Sequence, residues 1–362
     1  MPMTSKERWM AALRCKPVDR LPFWPKLDAS YPTRQKEPFR SMTPAQIQAW
    51  IGSDQHVGGP SCVRSLRATT RIEHEEKDGL RITRFHTPRG TLTRVDRFDP
   101  VSLSHHPREF PVKGPDDIET MALVFADERV EFDADERERA VALIREVGEN
   151  GVVVTGIGVS PLMDWLQHIA GIENGHYLLA DHRERVEALF DEIHRVLLRR
   201  AEIVAERTPY QIVYSTENTS TTLISPDMFR RYSYRHLADY GRTITAAGKI
   251  HVLHMCGHLK RLLPDLDTLP AGAFEAFTSP PVGNTTLFDG RSGCTTKCLI
   301  GGTNATLWLE DADTIASTIE HDLRVLPHPW GIVVTSAGVM PPRCTPETIR
   351  QVAERVWRYQ VA

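Results

Sequence analysis

The sequence has no long apolar run. No stretch approaches the roughly 18 consecutive apolar residues of a membrane helix, so no span is expected. Charge of one sign is also lacking: 44 Lys and Arg against 47 Asp and Glu leave a formal net charge of -3. Basic residues are interleaved with acids, as in His182-Arg183-Glu184-Arg185, which makes solvated helix faces rather than a grip on nucleic acid. Cysteine is scarce. The six, at 15, 62, 256, 294, 298 and 344, are too scattered for a disulfide framework and imply reduced thiols in a cytoplasmic setting. The opening segment is charged and lacks the apolar centre of a signal peptide. No Gly-x-Gly-x-x-Gly follows the first strand and no Gly-x-x-x-x-Gly-Lys occurs, so nucleotide-binding α/β sheets lose ground.

What is present is a rhythm. From about residue 115, apolar strand-like runs alternate with amphipathic helices. The strands are expected at 151–157, 211–216, 249–254, 272–277, 298–303 and 331–336, with long helices at 183–207 and 226–248. Repeated β-then-α units imply a parallel sheet. With a strand at 20–27 and one more somewhere in 95–150, the total is eight, which favours a closed (β/α)8 TIM barrel. Residues 1–362 are read as one barrel domain, with about 115–362 forming most of the barrel and about 30–110 an N-terminal extension. Within that extension, "LRITRF" and "GTLTRVDRF" flank "HTPRG" and predict an antiparallel hairpin, a candidate lid or docking element. Ser160-Pro161, Ser225-Pro226 and Thr345-Pro346 each read as a helix start: a hydroxyl cap, then proline in the first turn.

Barrel enzymes gather their active groups at the C-terminal ends of strands. The residues standing there are Lys26, Asp28 and Tyr31 after the first strand, Glu217 and Asn218 after 211–216, His254 and Cys256 after 249–253, Glu275 near the end of 272–277, and Asn304 after 298–303. His254 and Cys256 are i and i+2, so one strand directs both to the same face. An imidazole and a thiolate there can converge on one ion, and zinc accepts nitrogen, sulfur and carboxylate oxygen. Glu217 is a possible oxygen donor. Structural readings stand beside these: a buried small thiol, a satisfied core histidine, or carboxylate and amide groups that only organise their loops. Cys294 and Cys298 make half a metal knuckle with no second pair, and packing explains them better.

Several segments together resemble the uroporphyrinogen decarboxylase superfamily: "TSKERWMAALRCKPVDRLPF", "TLISPDMFRRY", "HVLHMCGHLKRLLPDL", "EAFTSPPVGNTTL", "LIGGTNA" and "SAGVMPPRCTPETI". The resemblance covers nearly the whole chain, least in 40–110, and implies a (β/α)8 barrel. True decarboxylases carry an Arg-Gln-Ala-Gly-Arg-Tyr motif that clamps an acidic tetrapyrrole. Here Arg34 and Gln35 are present, while the glycine and second arginine are not. The His-x-Cys-Gly segment is similar to the corrinoid-linked methyltransferase branch, whose zinc is held by that His, that Cys and a later Cys. The resemblance therefore implies His254 and Cys256 as zinc ligands. Aligning Thr345-Pro346 with the family's Thr-Pro puts Val339 at the later Cys. Cys344, Glu217 or Glu275 would then have to complete the set, and with one thiolate fewer the ion is more Lewis-acidic.

The expected function is a zinc-activated methyltransferase. It would move a methyl group between a small O-, N- or S-methyl compound, or a thiol acceptor, and a corrinoid (cobalamin) on a partner protein. Lys26, Asp28, Tyr31, Asn218, Glu275 and Asn304 are the expected substrate contacts. Two other functions remain open: a decarboxylase-like lyase acting on a smaller acid through Asp28 or Lys26, and a non-catalytic corrinoid- or tetrapyrrole-binding barrel. A homodimer is a reasonable prior.

Overall fold

The structure is a computed structural model that describes residues 2–359 of the 362. One parallel sheet carries eight strands: β1 Phe23–Trp24, β2 Gln55–Gly58, β3 Gly151–Gly158, β4 Ile212–Thr216, β5 Ile250–His254, β6 Ala273–Phe277, β7 Cys298–Gly301 and β8 Ile332–Thr335. Their order, β1-β8-β7-β6-β5-β4-β3-β2, is chain order rolled into a ring. This is the expected barrel. Strands such as "GVVVTGIG" read as nearly continuous apolar runs because a parallel sheet is covered on both faces.

No ladder joins β1 to β2 among the described residues. Asp54 bridges that seam. Its backbone N–H donates to the Phe23 carbonyl at 2.9 Å, and its carboxylate accepts the Phe23 N–H at 3.0 Å. The side chain is buried, and Arg8 and Arg20 neutralise it. Arg8 also pairs with Asp19 at 2.8 Å. The Glu-Arg and Pro-x-Asp-Arg stretches of the opening sequence are thus a structural clasp.

Inside the ring, Trp24, Val154, Ile212 and Val252 pack with Trp9. Trp9 belongs to the helix Ser5–Leu13, which closes the N-terminal end of the barrel. That helix begins with a capping box: the Thr4 hydroxyl accepts the Glu7 N–H, and the Glu7 carboxylate accepts the Thr4 N–H. Outside, helices bury one face each. Arg183–Arg207 turns Val186, Leu189, Phe190, Ile193 and Leu197 inward at three- and four-residue spacing. The helix expected over 226–248 is Pro226–Phe229 and Arg235–Ala246, joined by a π turn at Arg230–Tyr234.

The eighth strand corrects the sequence reading. It is not in 95–150 but at Gln55–Gly58, where only one of four residues is a large apolar one. The strands that do occur in that window pair antiparallel outside the barrel: Arg129–Phe132 with Val63–Leu66, and Ser104–Glu109 with the strand ending at Asp99.

The extension holds the expected hairpin, Leu80–Thr87 against Gly90–Asp99, within a four-stranded antiparallel sheet completed by Arg71–Lys77 and Ser104–Glu109. Asp78 and Gly79 form a tight turn with φ of 52° and 73°, the left-handed pair a two-residue hairpin favours. Leu92 is buried against the outer core, and Ile72 and Phe85 pack on it, so this sheet is seated on the barrel. Its far turn is tied to the segment after β1 by Arg34, which donates to the Pro100 and Val101 carbonyls at 3.4 and 3.3 Å. Among the described residues no helix is long and apolar enough to cross a membrane, and all six cysteines are free.

Candidate functional site

Parallel register sets the site. His254 on β5 lies opposite Thr216 on β4 and Glu275 on β6. At the C-terminal ends of the barrel strands, three described residues adopt left-handed backbone without being glycine: Asn218, Ala276 and Ala337, with φ of 50°, 62° and 63°. Such conformations cost of order 1 kcal/mol each and cluster where function demands a particular aim.

Glu275 is the hub. Its Oε1 accepts from Lys26 Nζ at 3.0 Å, and its Oε2 bonds His254 Nδ1. It is buried, which opposes its charge, but His254 and Lys26 outweigh burial and hold its carboxyl below the usual range. Burial likewise opposes the His254 charge. The Cys256 sulfur and the Glu275 carboxylate outweigh it and raise the imidazole to about 9. With Nδ1 occupied, Nε2 is the nitrogen left for a ligand, and a metal ion binding there would displace the proton the ring holds at neutral pH. Cys256 is exposed, and its Sγ lies 3.2 Å from Asn218 Oδ1. Asn218 Nδ2 in turn donates to Gln167 Oε1 at 2.7 Å.

Beneath this cluster the barrel interior is lined by His56, Trp24 and Tyr214. The His56 ring stacks on Trp24 with centroids 4.1 Å apart, and its Nε2 bonds the Tyr214 hydroxyl at 2.9 Å. Burial pushes His56 down to about 4 and keeps Tyr214 a neutral phenol, so the floor is uncharged.

Of the residues singled out in the sequence, the structure brings together Lys26, Glu275, His254, Cys256 and Asn218. It employs the others differently. Glu217 is fully buried, and both its oxygens are taken by Ser160, through the backbone N–H at 2.8 Å and through the hydroxyl. Burial raises its carboxyl to about 7. Ser160 therefore does not cap its own helix, unlike Ser225 and Thr345. Cys344 is buried, which pushes its thiol up to about 12, and its carbonyl accepts the Tyr31 hydroxyl at 2.6 Å. Asp28 folds its own turn, accepting from the Ser30 and Tyr31 N–H groups at 3.0 Å. Asn304 is buried and organises the loop after β7, donating to Ser279 and Pro280 and accepting from Thr306 and Leu307. Val339 stands on the rim, 46% exposed. The reading of the sequence missed Gln167, His56 and Tyr214. The alternation of Ile212, Tyr214 and Thr216 along β4 was the available signal for an inward tyrosine.

A zinc ion would find part of its cage here. His254 Nε2 and Cys256 Sγ are suitable donors, and the Glu275 carboxylate on Nδ1 is the usual backing of a metal-bound histidine. Among the described residues, however, no three His, Cys, Asp or Glu side chains gather as a metal set. The acids are engaged elsewhere, and Cys344 is buried in its own loop.

Residues 109–359 match the family model described as uroporphyrinogen decarboxylase (URO-D). A solved methyltransferase from Methanosarcina mazei aligns over 98% of both chains at 14% identity, with a TM-score of 0.62, and so shares the fold. A candidate vitamin-B12-independent methionine synthase from Listeria monocytogenes aligns over 93% of this chain and 95% of its own, at 11% identity and a TM-score of 0.40. No curated protein matches the chain.

Proposed function

Starting from the fact that the chain belongs to the uroporphyrinogen decarboxylase family, we propose that it is a methyltransferase. It would move a methyl group between a small O-, N- or S-methyl compound, or a thiol acceptor, and a corrinoid carried by a partner protein. The observation that supports this reading is the exposed Cys256 thiol beside a His254 imidazole backed by Glu275 at the barrel mouth. His254 and Cys256 would hold zinc, which supplies Lewis acidity to a substrate heteroatom or keeps a thiol deprotonated.

The chain's own groups have separate tasks. Glu275 fixes the imidazole through Nδ1 and leaves Nε2 for a ligand, and Lys26 balances the buried carboxylate. The neutral floor of His56, Trp24 and Tyr214 gives a small substrate a dry surface below the reacting atoms. A corrinoid protein would dock across the rim, where Val101 and Leu103 on the extension's turn and Val339 after β8 are exposed apolar side chains.

A decarboxylase clamp for a many-carboxylate tetrapyrrole gains no support from Arg34, which is spent on the Pro100 and Val101 carbonyls.

The test is metal analysis of purified protein, followed by His254→Ala and Cys256→Ala. Stoichiometric zinc in the parent, lost in both variants together with methyl exchange to a free corrinoid, is the expected result. Zinc retained by both variants defeats the assignment.

A further inference from the structure

The Cys256 sulfur has a neighbour whose orientation is forced. Gln167 Nε2 donates at 3.2 Å to the Glu217 carbonyl, an atom that can only accept. Gln167 Oε1 must then accept from Asn218 Nδ2, at 2.7 Å. The remaining polar atom of the Asn218 amide, its oxygen, accepts from the Cys256 thiol at 3.2 Å, a proton that a metal ion bound between the two would replace. The turn that carries it is pinned to β5, because the N–H groups of Glu217 and Asn218 both donate to the His254 carbonyl, at 2.9 and 3.0 Å. Asn218 is held at φ 50° to make this approach. An imidazole nitrogen, a sulfur and an amide oxygen are thus carried by two strand ends that are bonded to each other.

We propose that Asn218 Oδ1 is the third protein donor of a metal site whose other donors are His254 Nε2 and Cys256 Sγ. The inference rests on the zinc reading above and fills the place that Glu217, Glu275, Cys344 and Val339 leave open. Sulfur and oxygen donors around a tetrahedral zinc lie about 3.6 Å apart, given bond lengths of about 2.3 and 2.1 Å. The observed 3.2 Å differs from that by a few tenths of an ångström. One thiolate, one neutral imidazole and one neutral amide leave the ion a net charge of about +1, so it is a stronger Lewis acid than in a two-thiolate cage and is held less tightly. Gln167 is a positioning residue: it keeps the oxygen, rather than the amide nitrogen, turned to the ion.

The experiment uses the full chain, stripped of metal by a chelator and dialysed, then titrated with cobalt(II) and with zinc. The wild type is expected to take one equivalent and to show a thiolate-to-cobalt charge-transfer band that Cys256→Ser abolishes. Asn218→Ala should keep that band but weaken cobalt binding about tenfold or more and alter the ligand-field bands, while Gln167→Leu should weaken it about tenfold. Asn218→Asp, with a charged oxygen in the same place, should bind more tightly than Asn218→Ala. Circular dichroism confirms that each variant folds. If Asn218→Ala misfolds, Gln167→Leu and Asn218→Asp decide the matter. Wild-type affinity and an unchanged cobalt spectrum in Asn218→Ala or Gln167→Leu overturn the proposal while leaving His254 and Cys256 as ligands. No cobalt or zinc bound by the wild type overturns it and the zinc reading together.

Discussion

The two halves of the barrel mouth use the same kinds of residue for different ends. Around β4, β5 and β6, polar side chains bond to one another across strands: Glu275 to His254 and Lys26, Cys256 to Asn218, Asn218 to Gln167. Around β7, β8 and the turn at 28–31, they bond mainly to the backbone and hydroxyls of their own loops. Tyr31 reaches the Cys344 carbonyl, Asn304 gathers Pro280 and Leu307, and Asp28 holds its own turn. A side chain tied to nearby backbone is held to its own loop and is not turned toward the mouth. Side chains that partner side chains keep spare donors and acceptors, and one half of the mouth is therefore equipped for chemistry while the other is masonry.

Four measurements test that contrast. Glu275→Ala should have the largest effect. It strands Lys26 and His254 without their shared counter-charge, costing about 3 kcal/mol in urea unfolding, and metal binding should fall with it. A stability loss below about 1 kcal/mol would mean that the trio is not a unit.

Acid should come next, and it acts on the chemical half. His251 on β5 is bonded to Ser215 on β4, and burial depresses it to about 3. Burial also depresses His236, stacked on His194, to about 4. Both folded values lie below the unfolded value of about 6.5. Their contribution is therefore intact above pH 6.5 and is lost as pH falls toward 4 and 3, at about 1.4 kcal/mol per pH unit for each group. Urea midpoints at pH 7 and pH 5 read this, and His251→Gln should flatten the dependence. Buried His56 adds to this loss and Glu217, raised to about 7, opposes it, so the comparison of variant with parent is decisive: a midpoint shift in His251→Gln equal to the parent's would contradict it.

On the other half, Tyr31→Phe should cost about 1 kcal/mol through one lost hydrogen bond and leave cobalt binding at its parent value. Cys344→Ala should be milder still, at or below about 1 kcal/mol, again with metal content untouched. Loss of metal in either variant would erase the distinction between the halves.

Much of the barrel was legible because a parallel strand covered on both faces must be mostly apolar, and β3 to β8 are, apart from the polar groups they carry at the mouth and His251 and Ser215. The strand at Gln55–Gly58 was illegible for the opposite reason. His56 faces inward, yet its ring is satisfied by Trp24 and Tyr214, partners 32 and 158 residues away in sequence. The pairing of His254 with Cys256 followed from the two-residue period of a strand. That Glu275 would take both His254 and Lys26 depends on cross-strand register, which a linear pattern does not contain. Glu217 was named as an oxygen donor because it stands at a strand end, but the Ser160 hydroxyl, legible only as a helix cap, takes its carboxylate instead. Asp28, Tyr31 and Asn304 show the same limit: polarity at a strand end does not reveal whether its partner will be a ligand or the nearest loop.

The Asp54 seam links the closed end of the barrel to its open one. Arg8 and Arg20 meet Asp54 just before the second strand, and Asp19 holds Arg8, so the first twenty residues work as a buckle across the β1–β2 seam. Whatever loosens that buckle should spread β1 from β2 and carry Lys26, two residues beyond β1, away from Glu275. A change at the floor of the molecule would then be felt at its mouth.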